Sequence, residues 1–142
     1  GVEQKSYTEI LRAGDIVRYG EIYFEVIYPG ENLGNGNESS LVIVLNYGDK
    51  KFMFTGDVDR AGEGEMMTWW QEGVEGIKIS HHGSDSGGSE DWLKRIKPAV
   101  AVISVGENSY GHPKEIVLER LKQSGVKILR TDLLGDITLG WD

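Results

Sequence analysis

Cysteine is absent from the 142 residues, and that absence removes two kinds of chemistry. There is no disulfide framework and no thiolate metal site, so a transition metal has to take histidine and carboxylate ligands. No apolar run approaches the roughly 20 residues that cross a bilayer. Gly1 to Ile10 has neither a basic start nor an apolar middle, so the expectation is a soluble chain without a signal segment. Positive charge is in short supply as well. A formal net charge of −8 argues against a free-standing nucleic-acid-binding module, whose affinity comes mostly from neutralising phosphates. Nine of the fifteen basic residues nevertheless fall between Lys78 and Arg130, so a local positive surface is compatible with the acidic total.

What is present describes one globular α/β domain. A chain of this length buries roughly 68–70% of its unfolded surface, and twenty glycines against three prolines imply many turns. The first third reads as strands, Asp15 to Gly20 and Ile22 to Tyr28, followed by a polar connection over Glu31 to Ser40 that is rich in Asn and Gly. Leu41 to Tyr47 and Lys51 to Thr55 are apolar runs joined at hairpin distance through Gly48-Asp49. Asp59 suits the cap of a helix covering Met66, Met67, Trp69 and Trp70, although Gly62 and Gly64 weaken its start by nearly 1 kcal/mol each relative to Ala.

From Gly76 the pattern alternates strand and helix: Ile77 to Ser80, Ser89 to Ile96, Ala99 to Val105, Lys114 to Gln123, Val126 to Leu129 and Ile137 to Leu139. Alternation of this kind signals α/β layering. Ser89 suits an N-cap, Pro113 a first helical turn and Gly125 the left-handed position after a helix.

All three histidines follow apolar strands, His81 and His82 after Ile77-Lys-Ile-Ser and His112 after Ala101-Val-Ile-Ser-Val. Strand ends are where α/β sheets bind ligands. Asp57, in Thr55-Gly56-Asp57, puts a carboxylate at another strand end, beside a glycine that permits close backbone approach. Its bland alternative is a turn or cap, a role that Asp59 fills better. Together these residues make a nitrogen and oxygen shell for zinc or manganese. His112 precedes Pro113 and so lies near a helix N-terminus, whose dipole favours the neutral, metal-binding imidazole. Asn37, Ser39 and Ser40 read chiefly as turn caps. Ser84 near His82 hints at a nucleophile and base but lacks an orienting third group. No glycine cluster forms a phosphate-cradling loop.

Taken in order, Asn37-Glu-Ser-Ser-Leu-Val, Phe54-Thr-Gly-Asp57, Ile79-Ser-His81-His82-Gly-Ser84, Asn108-Ser-Tyr-Gly-His112-Pro113 and Arg130-Thr131-Asp-Leu-Leu-Gly135 resemble the C-terminal part of the metallo-β-lactamase-fold domain of ComEC-type competence proteins. The resemblance spans essentially the whole chain. It implies an αββα sandwich, two facing sheets flanked by helices, with one or two metal ions at the strand ends. On that pattern Asp57 resembles the metal-bridging aspartate and His81, with His82 as alternate, a metal ligand. His112 resembles the later histidine of the metal pocket, and Ser84 and Asn108 resemble loop-shaping neighbours.

One departure stands out: the upstream His-x-His/Asp-x-Asp-His cluster of the family has no counterpart in these residues. The expectation is therefore that residues 1–142 form a single partial domain, the C-terminal half, which by itself binds metal poorly, is inactive and self-associates. The resemblance further implies a metal-dependent phosphodiester hydrolase, a nuclease acting on single-stranded DNA during uptake. Its partners would be the upstream half-domain and a membrane channel of the same polypeptide, so that the parent protein is membrane-associated. Two other readings stay open: a lactamase-fold esterase or small-phosphodiester hydrolase, and a non-catalytic interaction domain.

Overall fold

A computed structural model describes residues 10–29 and 40–140. Seven strands form one sheet in simple sequence order: β1 (Ile16–Tyr19), β2 (Ile22–Tyr28), β3 (Val42–Tyr47), β4 (Lys50–Phe54), β5 (Gly76–Lys78), β6 (Val100–Ile103) and β7 (Lys127–Arg130). The first four are antiparallel, β3 and β4 pairing Val44 with Met53 and Leu45 with Phe52 across the expected Gly48-Asp49 turn. From β4 to β7 all pairings are parallel. The switch occurs where the sequence begins to insert helices, because parallel neighbours need a long crossover. The helices are α1 (Arg60–Met67), α2 (Glu90–Ile96), α3 (Glu115–Gln123) and a short α4 (Thr131–Leu134).

Register decides which face each strand residue serves, since successive side chains alternate. Val42, Val44, Met53, Ile77, Ala101 and Ile103 share one face and are fully or almost fully buried. They pack in one cluster with Met66 of α1, Trp92, Leu93 and Ile96 of α2, and Val117 and Leu121 of α3. The opposite face presents Leu45, Phe52, Phe54, Lys78 and Val102. There Ile137 and Leu139 line one side of an open cavity of about 570 Å³. The fold is thus the expected mixed sheet with flanking helices, with the helical layer on one side.

Local expectations are corrected at four places. Helix α1 ends at Met67 with Thr68 as its C-cap, so Trp69 and Trp70 lie beyond it. Gly62 is in addition required by packing, since a Cβ there would stand 2.4 Å from Val58 Cγ2. Pro113 precedes the N-cap Lys114 instead of occupying the first turn of α3. Ile137 to Leu139 forms no strand, while Thr131–Leu134, unassigned in the sequence, forms α4. The caps at Asp59, which accepts from Ala61 and Gly62 amides, and at Ser89, which accepts from the Trp92 amide, stand as expected, as does the left-handed Gly125.

Candidate metal centre

The candidate residues lie on loops leaving β4, β5 and β6 at their C-terminal ends, the same edge of the sheet. After β4 the chain turns through Gly56, at φ 54°, a left-handed conformation that glycine adopts without strain. The Asp57 amide donates to Ser40 Oγ at 3.3 Å, and the Gly56 carbonyl accepts from the His81 amide at 3.0 Å. The Asp57 and His81 loops are therefore tied backbone to backbone. Thr55, buried beneath them, donates its hydroxyl to the Lys78 carbonyl at 2.6 Å. Asn37 and Ser39 lie outside the described residues.

After β5 the segment Ser80–Gly83 coils tightly, with His81 at φ 46° and His82 at φ 55°. Two consecutive non-glycine residues with positive φ are costly and occur where surrounding contacts over-determine them. Here the contacts are on both sides. Gly83 packs so closely on the next loop that a Cβ would meet Pro113 Cβ at 2.6 Å, and its carbonyl accepts from the Lys114 amide at 2.9 Å. That packing brings the His81 and His112 rings to 5.8 Å, edge to face.

The ring nitrogens are distinguished by their partners. His82 Nδ1 stands 2.5 Å from the Ser104 carbonyl. A carbonyl only accepts, so Nδ1 carries the proton, and in the neutral ring the lone pair sits on Nε2, the arrangement that orients metal-binding imidazoles. His81 Nδ1 lies 3.4 Å from Ser86 Oγ. His112 Nδ1 is buried without a hydrogen-bond partner among the described residues. Burial first, and then the positive Lys114, hold the His112 pKa below the ordinary imidazole value. The neutral form expected from its place near a helix N-terminus is favoured, chiefly through desolvation.

Asn108 shapes the His112 loop by closing on both ends of it. Its Nδ2 donates to the Gly106 and His112 carbonyls, each at 2.9 Å, and its Oδ1 accepts from the His112 amide at 2.9 Å. Tyr110 stacks on the His112 ring at 6.0 Å. Ser84, nearly buried, receives the Ser86 amide and hydroxyl at 3.3 and 3.1 Å. It thus braces its own loop.

Sequence reasoning overlooked two residues at this edge. Thr131 Oγ1 accepts from the Val105 amide at 2.8 Å and donates to the Val105 carbonyl at 2.7 Å, joining β7 to the loop that carries His112. Its place in Arg130-Thr131-Asp132 was the available signal. Lys78 sits half-buried on the open sheet face. Burial lowers its pKa and the negative charge of Asp57 opposes that shift.

Imidazoles with one assigned tautomer and an unpartnered buried nitrogen suit a borderline divalent metal. The set is nonetheless incomplete: among the described residues no three His, Asp or Glu side chains are gathered closely enough to hold an ion.

No family model matches the sequence. The chain is 33% identical over 132 residues to ComE operon protein 3 of Bacillus subtilis, covering 91% of this chain and 17% of that protein. It is 34% identical over 121 residues to competence protein ComA of Neisseria gonorrhoeae, covering 82% and 18% respectively. The chain is a homologue of one stretch of the ComEC-type competence proteins. Recombination protein 2 of Haemophilus influenzae is 25% identical over 139 residues, 96% of this chain and 18% of that one, so the chain spans under a fifth of the length of these curated relatives. Among solved structures, CmlA, a diiron β-hydroxylase from Streptomyces venezuelae, superposes with a TM-score of 0.59 at 10% identity, over 85% of this chain and 32% of that one. A variant of the same protein gives 0.58. That likeness concerns the fold alone, and the fold is the metallo-β-lactamase α/β arrangement of a mixed sheet with flanking helices. No helix of the described residues is long and apolar enough to cross a membrane.

Proposed function

We propose that this chain is the C-terminal half of a metal-dependent phosphodiester hydrolase domain in a longer, membrane-associated competence polypeptide, and that the complete domain is a nuclease acting on incoming single-stranded DNA. The observation that carries the reading is the convergence of His81 and His112, rings 5.8 Å apart, from separate parallel strand ends beside the Asp57 loop. Asp57, His81, and His82 or His112 would contribute to holding zinc or manganese, but no three of them are gathered closely enough to do so by themselves, so the set would be completed by another part of the longer polypeptide. Such an ion, when bound, supplies positive charge and Lewis acidity at a phosphoryl group.

The chain's own residues do the rest. His82 presents Nε2 because Ser104 fixes its tautomer, and His112 stays neutral because it is desolvated. Lys78 places an ammonium on the sheet face near Asp57. The overall negative charge does not favour a polyanion as ligand. Nine basic residues fall between Lys78 and Arg130, the stretch that also carries His81, His82 and His112, and a relative named for competence supports the reading of DNA as the substrate.

The test is a comparison of substrates on a polypeptide extended to the complete domain. It should degrade single-stranded DNA with manganese or zinc and lose that activity with chelator. Rapid hydrolysis of a small chromogenic diester with no action on DNA would instead favour the small-phosphodiester alternative.

A further inference from the structure

The loop that carries His81 and His82 is held from behind by α1. The Arg60 amide donates to the Ser86 carbonyl at 2.8 Å, and the Arg60 guanidinium donates to the Asp85 carbonyl at 2.9 Å. One turn further on, Glu63 turns its carboxylate onto two amides beyond Gly87 in the same stretch, Gly88 at 2.6 Å and Ser89 at 3.0 Å. Glu63 is 1% exposed. Withdrawing a carboxylate from water is costly unless its oxygens are well bonded, so its position calls for an explanation beyond covering the core.

A plain helix cap does not suffice, because α2 already has one: Ser89 Oγ accepts from the Trp92 amide at 3.3 Å. The carboxylate bonds the α2 N-cap Ser89 and also Gly88 before it, and so acts on the stretch that leads into α2. There Ser86 Oγ lies 3.4 Å from His81 Nδ1 and 3.1 Å from Ser84 Oγ. Gly87, next in line, has no slack either, since a Cβ on it would stand 2.1 Å from Ser80 Oγ and 2.9 Å from the Val58 carbonyl. Arg60 holds the backbone at residues 85 and 86 and Glu63 holds it at 88 and 89, which sets the place from which the Ser86 hydroxyl reaches His81 Nδ1 and Ser84 Oγ.

We propose that Glu63 is a positioning residue for His81, acting through Ser86: it fixes the serine that engages Nδ1, so that a ligand meets the imidazole through Nε2. The inference rests on the reading of His81 as a ligand only in that this is the ring worth orienting, and the clamp itself is tested without metal or substrate. The measurement is the pair of ring ¹⁵N shifts of His81 in the present chain at about pH 8, above the ordinary imidazole titration. His82, held by Ser104 outside the clamp, serves as internal control.

The parent should show His81 in one dominant tautomer. Ser86→Ala and Glu63→Gln should both move its ring nitrogens towards a mixture while His82 stays unchanged. Glutamine keeps one acceptor but turns an N–H₂ towards the second amide, so it opens the clamp with little change in volume. A His81 signature that Glu63→Gln leaves at the parent's position, or that Ser86→Ala fails to move, overturns the proposal. Should Glu63→Gln not fold, the parent decides: the Gly88 and Ser89 amide protons should be shifted downfield and protected from exchange, and free exchange overturns the clamp. Loss of the clamp would leave the hydrolase reading standing. Conversely, a complete domain inactive on DNA would leave these shifts unaffected.

Discussion

His112 shows how a single side chain is tuned by its surroundings. Its Nδ1 is buried without a partner among the described residues, and burial together with Lys114 keeps its pKa below the ordinary value. The folded state therefore takes up this proton less readily than the unfolded chain. The contribution of a neutral His112 is present in full above the ordinary imidazole pKa, about 6.5, and is lost as pH falls through that value towards the folded one. An NMR titration should place the His112 midpoint below the ordinary value. In urea unfolding, the stability advantage of the parent over His112→Gln should shrink on acidification through the same window, and an advantage constant with pH would contradict the assignment. The sequence disclosed the residue and its neutral state, because a histidine before a proline at a helix start is visible in one dimension. It did not disclose the cause, since desolvation depends on what other segments bring against the ring.

At the scale of elements, the coupling between the two histidine loops is the feature on which the site depends, and it runs through a glycine. Gly83 has φ 84° and leaves no room for a Cβ against Pro113. Gly83→Ala should cost roughly 1–3 kcal/mol from overpacking alone, with backbone strain in addition, and should weaken the nuclear Overhauser contacts between the His81 and His112 rings. A variant as stable as the parent with those contacts intact would show that the loops are set independently. Hairpin β3–β4, the caps at Asp59 and Ser89 and the α/β alternation were legible because they follow from local chemistry: period-2 runs, turn residues and side-chain oxygens before helices. Gly62, Gly83 and Gly87 were not, since each answers to a residue that is distant in sequence or that only the fold brings close. The end of α1 was misplaced for a related reason, because Trp70 is buried in the core without being helical, and burial imitated helical periodicity. Glu63 was likewise invisible, its two amide partners lying 25 and 26 residues away.

For the molecule as a whole, the governing fact is asymmetry across the sheet. One face is sealed by α1, α2 and α3, whereas the other offers Leu45, Phe52, Phe54 and Val102 around a broad cavity, and the edge strand β1 is exposed along its whole length. Open apolar faces and unpaired strand edges favour association. Light scattering should therefore detect dimers or larger species of this chain at high concentration, and a clean monomer would show that the face is closed by the chain itself. The same asymmetry agrees with a chain that spans 17% of the length of its Bacillus subtilis relative and with the proposal that further ligands come from elsewhere in the longer polypeptide. The central claim, that Asp57 and His81 belong to a metal-dependent nuclease site, is tested most directly by single-stranded DNA degradation on the polypeptide extended to the complete domain. Asp57→Ala and His81→Ala should each abolish the manganese- or zinc-dependent activity, because removing a ligand loses both the ion and its geometry, whereas His112→Ala should lower it by about 10–100-fold if its part is to orient. Activity that survives Asp57→Ala, or that persists in chelator, would contradict the account.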